Sequence, residues 1–139
     1  LSKLRRNQPS CGGDGNCSEY NLYEFQDRDM KVDKLNPAAC KWEPFTLSKS
    51  KFIPNAAGCY ALTSFEEIVL YVGLATDLRR RFIQHLESPE KTGVSADGRA
   101  TKFHWLETAD INRVERTWLN IHVHHEGRYP ILNKVYSPS

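Results

Sequence analysis

The sequence predicts a small mixed α/β domain in which an antiparallel β-hairpin is followed by a helix, a strand and a second helix. Three observations carry this. Residues 58–63 and 68–72 are β-prone, the second run strongly β-branched, and the four-residue link Ser64-Phe65-Glu66-Glu67 joins them. Leu78, Phe82 and Leu86 recur at helical spacing, with Ile83 widening the stripe. Ile111, Val114, Trp118 and Ile121 do the same further on, with Leu119 on one shoulder.

Taken in order, residues 1–19 carry Ser, Gly, Asn and Pro with almost no apolar periodicity, which reads as an arm. Residues 20–52 scatter Leu22, Phe25, Met30, Val32, Leu35, Trp42 and Phe45 among charges and predict short, irregular elements. A symmetric hairpin centred between Phe65 and Glu66 places Tyr60 directly opposite Tyr71, so that both share one face of the sheet. The second strand ends after Gly73, and Thr76 or Asp77 caps a helix over 78–86. Residues 87–99 read as a long polar loop, 102–106 as a strand, and 111–122 as a helix capped by Asp110. The apolar run within 129–136 is expected to cover the sheet.

Composition bounds the function. The chain has 139 residues, 40% hydrophobic, with three Trp, six Tyr and six Phe, enough apolar material for one compact domain and against global disorder. Its longest apolar stretch, 68–75, falls far short of the roughly 20 residues a membrane-spanning helix needs. Nineteen basic against seventeen acidic residues leave a net charge of +2, so any basic surface must be local. Residues 1–20 are polar and lack the apolar core of a secretory signal, which favours a cytoplasmic location, and a start at Leu1 with Met30 as the sole methionine suggests a trimmed beginning. Cys11, Cys17, Cys40 and Cys59 lack the paired spacing of zinc ribbons; separate thiols are the plainer reading, and a zinc-stabilised segment using Cys11, Cys17 and Cys40 is the other.

Several residues are oddly placed for a purely structural domain. Arg79, Arg80 and Arg81 sit at the positive end of a helix, where exposed cations are disfavoured by about 0.3–1 kcal/mol each. Either Asp77 offsets them as a cap, or they hold a phosphate together with the helix-start amides. Glu115 projects about 40° from both Ile111 and Leu119, inside the apolar face, and needs either an arginine partner or a divalent cation. His122, His124 and His125 occupy different helical faces and read as surface or helix-end residues. His85, four residues after Arg81 and near the tyrosine pair, is a candidate proton carrier near neutral pH.

The ordered set Gly58-Cys59-Tyr60, Tyr71-Val72-Gly73, Leu78, Arg81 and His85, then Glu115 and Pro130-Ile131-Leu132-Asn133, resembles the GIY-YIG nuclease superfamily over residues 52–136. Cys59 and Val72 stand where the family usually has isoleucine, and Ala75 and Asp77 where it often has Ser and Asn, which predicts that Asp77 pairs with an arginine. The resemblance implies a three-stranded antiparallel sheet flanked by helices, with 1–51 as an irregular N-terminal extension and 52–139 as the catalytic domain. It implies hydrolysis of phosphodiester bonds in DNA with one Mg²⁺ or Mn²⁺ per site. Tyr60 then acts as general base or positions the attacking water, helped by Tyr71; His85 assists proton transfer; Arg81 stabilises phosphate charge; Glu115 holds the metal; Asn133 braces the site.

Arg79, Arg80 and Lys102, the arm residues Arg5 and Arg6, and the loop 87–99 are the expected DNA contacts. A homodimer or an additional recognition domain is expected, in a restriction-type or mobile-element setting. The alternative is a non-catalytic nucleic-acid-binding module on the same fold.

Overall fold

The computed structural model describes residues 29–133, so the expectations for the arm with Arg5 and Arg6, for Cys11, Cys17, Leu22 and Phe25, and for 134–136 lie outside the described residues. Its centre is an antiparallel sheet of four strands, β1 (Lys41–Pro44), β2 (Gly58–Thr63), β3 (Val69–Ala75) and β4 (Lys102–Glu107), in the spatial order β1-β4-β2-β3. Three strands were expected; the fourth comes from the stretch read as irregular. It is short and lies at an edge, where Pro44 costs no interior ladder bond.

Side chains alternate across this sheet and create two cores. Tyr60, Leu62, Phe103 and Trp105 face one side and pack against Leu78 and Phe82 of helix α1 (Leu78–Leu86), with Phe45 and Ile53. Cys59, Ala61 and Val72 face the other and pack against Val114 and Trp118 of the second long helix. Residues 30–37 strap across that second core. Val69 N–H donates to Met30 O at 2.8 Å, and Trp118 Nε1–H to Pro37 O at 2.8 Å.

The hairpin departs from symmetry twice. Its turn closes between Ser64 and Ile68, with Glu67 in the left-handed region at φ 70°, so the loop has one residue more than expected. A bulge at Leu70 then adds a second, because Leu62 pairs with Tyr71 but Thr63 pairs with Val69. Tyr60 therefore lies opposite Gly73 rather than Tyr71. A shift of one residue reverses every side chain and a shift of two restores it, so both tyrosines still share one face.

Other boundaries also move. β3 continues through Gly73 to Ala75, since its backbone still pairs with β2 as far as Gly58. α1 keeps the expected span, with Asp77 as its cap. The long loop contains a one-turn helix, α2 (Pro89–Thr92), begun by proline at its first position. The last helix, α3 (Ile111–Glu126), runs four residues further than expected, to a left-handed Gly127 at φ 83°. Asp110 precedes it without capping through its side chain, which Arg113 engages instead. His122 consequently sits inside the helix and fully buried, not at a surface end, with Nδ1 2.7 Å from Arg128 O; His124 and His125 are exposed. In the described part of 129–133, Ile131 and Leu132 pack against the Tyr60-side core, as the apolar run suggested. The segment also pairs along the free edge of β3, with Leu132 N–H donating to Leu70 O at 2.9 Å.

Candidate active site

The site is built where β2, β3 and α1 meet. Tyr60 points inward from β2 and is completely buried, its ring stacked on Phe103 with centroids 5.0 Å apart and planes 10° from parallel. That position is open only because Gly73 lies opposite: a β-carbon there would stand 2.5 Å from the Tyr60 hydroxyl and 2.8 Å from the Tyr71 ring. Helix α1 presents His85 from its last turn. The Tyr60 hydroxyl and His85 Nε2 lie 2.5 Å apart, and the Tyr71 ring sits 6.0 Å from Tyr60 and 5.3 Å from His85, centroid to centroid.

Electrostatics keep these groups neutral. Burial pushes the Tyr60 hydroxyl well above the ordinary phenol range, the adjacent Tyr71 adds to this, and the Arg81 guanidinium works against it. Tyr71 is also raised by burial, with Glu115 adding to the shift and Tyr60 and Arg81 opposing it. Burial, reinforced by Lys91 and Arg81, lowers His85 to about 3. His85 is therefore a neutral imidazole at pH 7 and does not titrate near neutrality as expected. Its Nε2 is engaged by the Tyr60 hydroxyl.

Glu115 projects from α3 and is half-buried. Among the described residues it has no hydrogen bond or ion pair, so the arginine partner expected on structural grounds is missing. Burial raises its carboxyl, with only partial relief from Arg116. Its charge also reaches Cys59, whose thiol burial and Glu115 together push up to about 12. No group of three or more His, Cys, Asp or Glu among the described residues is placed to hold a metal. A half-buried carboxylate with no ion pair fits a hard cation that keeps waters and takes substrate phosphate as its remaining ligands.

Asn133 binds the backbone of β3 next to Tyr71. Its Oδ1 accepts from Val72 N–H and its Nδ2 donates to Val72 O, both at 2.9 Å, extending the β3 ladder beside Tyr71. The arginines separate by role. Arg81 faces the tyrosines, and Arg80 is exposed beside a small polar recess lined by Thr76, Asp77, Arg81 and Gln84. Arg79 is committed to structure, donating to Ile53 O at 2.8 Å and Lys51 O at 3.2 Å. Asp77 pairs with no guanidinium: it accepts from Arg80 backbone N–H at 3.3 Å and from Asn55 at 3.2 Å, bonds that hold its carboxyl below the usual range.

Lys102 is not brought to the site. It lies on the opposite face of β4, bound to Glu67 at 3.0 Å. Lys91 was missed from sequence. α2 carries its ammonium 4.7 Å from the Tyr71 ring centroid, and the Ser88-Pro89 helix start was the available signal. Of the cysteines, Cys40 is exposed and Cys59 buried, both as free thiols.

A buried Tyr–His pair, a facing arginine and a carboxylate without an ion pair thus sit on a small α/β sheet. Residues 56–122 match the model of the GIY-YIG catalytic domain, and this part of the chain, which holds Tyr60, Tyr71, Arg81, His85 and Glu115, belongs to that family. A comparison with curated proteins gives no match.

Proposed function

We propose that the chain is a DNA endonuclease that hydrolyses phosphodiester bonds at this site with one divalent cation. The observation that carries the reading is the buried 2.5 Å contact between the Tyr60 hydroxyl and His85 Nε2, within reach of the Arg81 charge. In the tautomer with hydrogen on Nδ1, Nε2 accepts the phenolic proton and leaves a Tyr60 oxygen lone pair for the attacking water. As the water oxygen bonds to phosphorus and the opposite P–O bond breaks, the water proton passes to Tyr60 and the Tyr60 proton to Nε2. No free phenolate forms, which suits a hydroxyl raised by burial. Burial, Lys91 and Arg81 all disfavour the resulting imidazolium, so a bound phosphate would have to stabilise it, and Arg81 would take the charge that builds on the phosphoryl oxygens.

Glu115 is the residue to hold Mg²⁺ or Mn²⁺. When bound, the cation neutralises charge on the leaving oxygen. Restriction-type cleavage by a homodimer is the biological setting that fits a domain with little reading surface of its own.

The test is cleavage of supercoiled plasmid with Mg²⁺ or Mn²⁺, wild type beside Glu115→Ala, with EDTA as blank. The wild type is expected to cut, and Glu115→Ala to lose at least about a hundredfold in rate while still binding DNA. Discrete linear fragments support a restriction-type enzyme, whereas nicking or smearing supports a relaxed or structure-guided cutter. Binding without metal-dependent cleavage overturns the reading in favour of a non-catalytic nucleic-acid module.

A further inference from the structure

A groove of about 520 Å³ opens at the β1 edge of the sheet, lined by Lys41, Glu43, Phe52, Pro54, Trp105 and Glu107. It lies on the Tyr60 face, since Trp105 pairs directly with Tyr60 across β2 and β4, and Lys41 pairs directly with Trp105. Its size is that of ligand sites, which run from roughly 300 to 1,000 Å³. One wall is fixed to the catalytic helix. Arg79 binds the carbonyls of Ile53 and Lys51, and the backbone N–H of Arg79 donates to Pro54 O at 3.1 Å.

Three features describe an occupant. Phe52 presents an aromatic ring that is 51% exposed, at odds with the usual burial of phenylalanine. Lys49 and Lys51 hold ammonium groups 5.5 and 5.4 Å from the centre of that ring, and Lys41 adds a third cation at the rim. Trp105, only 4% exposed, has an indole N–H with no acceptor among the described residues. A flat aromatic group with an anionic flank meets the first two, and a small shift of the Trp105 side chain would offer its N–H to an acceptor atom on that group. Glu43 and Glu107 can accept from exocyclic amino groups on such a ligand.

We propose that this groove holds unpaired nucleotides of the DNA substrate, stacking a base on the exposed Phe52 ring with the neighbouring phosphates on Lys41, Lys49 and Lys51. The assignment rests on the nuclease reading and specifies its substrate as DNA with a single-stranded segment. Duplex DNA supplies the phosphates but keeps its bases stacked away from the ring. Strand addition by a peptide is disfavoured, because β1 is four residues long, begins at a lysine and ends at a proline without an N–H.

The test is a binding titration of the full chain in EDTA with a fluorescein-labelled single strand of mixed sequence and with its blunt duplex. Phe52→Ala is expected to weaken single-strand binding about tenfold and duplex binding less than twofold. Phe52→Leu, which keeps apolar contact and removes the ring face, should lose as much, with melting curves checking the fold of both. Lys49→Ala with Lys51→Ala should also flatten the salt dependence of single-strand binding. Single-strand affinity unchanged in the Phe52 variants, or an equal loss on both substrates, overturns the groove. Because the titration needs no cleavage, an inactive chain with Phe52-dependent single-strand binding refutes the nuclease reading alone.

Discussion

At the residue scale the decisive atom is the Tyr60 oxygen. Tyr60→Phe keeps the stack on Phe103 and removes only the hydroxyl that meets His85. The buried Nε2 loses its partner, so stability falls by about 1–3 kcal/mol. Cleavage falls by about a hundredfold to ten-thousandfold with DNA affinity unchanged. Single-turnover cleavage beside a binding isotherm checks this, and a loss under tenfold would remove Tyr60 from proton transfer. The grouping of Tyr60, Tyr71, Arg81 and His85 was legible in the sequence, from the hairpin and the four-residue spacing on α1. Their protonation was not. That His85 is neutral follows from burial and from Lys91, a cation delivered by a separate helix. His122 could have been placed correctly, since it continues the four-residue stripe of Val114 and Trp118 into the core.

At the element scale the sequence correctly predicted α1 and the hairpin strands but not their pairing. The extra turn residue and the Leu70 bulge each change the register by one, and neither leaves a composition signal: Glu67 in the left-handed region is an atypical choice where Gly or Asn is usual. β1 escaped for a similar reason, because Lys41-Trp42-Glu43-Pro44 acquires its strand character from pairing with β4. At Val72 the free edge of β3 is held by a single side chain. Asn133→Ala removes both hydrogen bonds to Val72 and leaves its N–H and C=O open next to Tyr71. A stability loss of about 1–3 kcal/mol follows, with faster hydrogen exchange at the Val72 amide. Protection at Val72 equal to wild type would show that Leu132 alone holds the edge.

At the scale of the whole molecule, the sheet buries a neutral imidazole on each face, and this sets how the fold responds to acid. His85 lies against the Tyr60 core at about 3, and His104, bonded to Thr63 at 3.0 Å on the other face, is lowered to about 4 by burial, with Glu67 opposing and Lys102 adding. Unfolding returns each to about 6.5. Between those values the unfolded chain binds protons that the folded chain refuses, so stability is full above about pH 6.5 and declines as pH falls. Each histidine costs about 2 kcal/mol by pH 5, a combined loss comparable to much of a small domain's stability of about 5–15 kcal/mol. Glu115 and Asp29, whose carboxyls are raised mainly by burial, take up protons on folding and offset part of this just above the ordinary carboxylate range. Urea unfolding from about pH 7.5 down to about pH 5 should therefore show a falling midpoint. His104→Gln, which cannot titrate and can still bond Thr63, should reduce the slope without abolishing it, because His85 and the buried His122, both lowered mainly by burial, still take up protons on unfolding. A midpoint independent of pH would mean that the buried imidazoles protonate as readily in the folded chain as in the unfolded one, and that burial does not hold the Tyr60–His85 pair neutral.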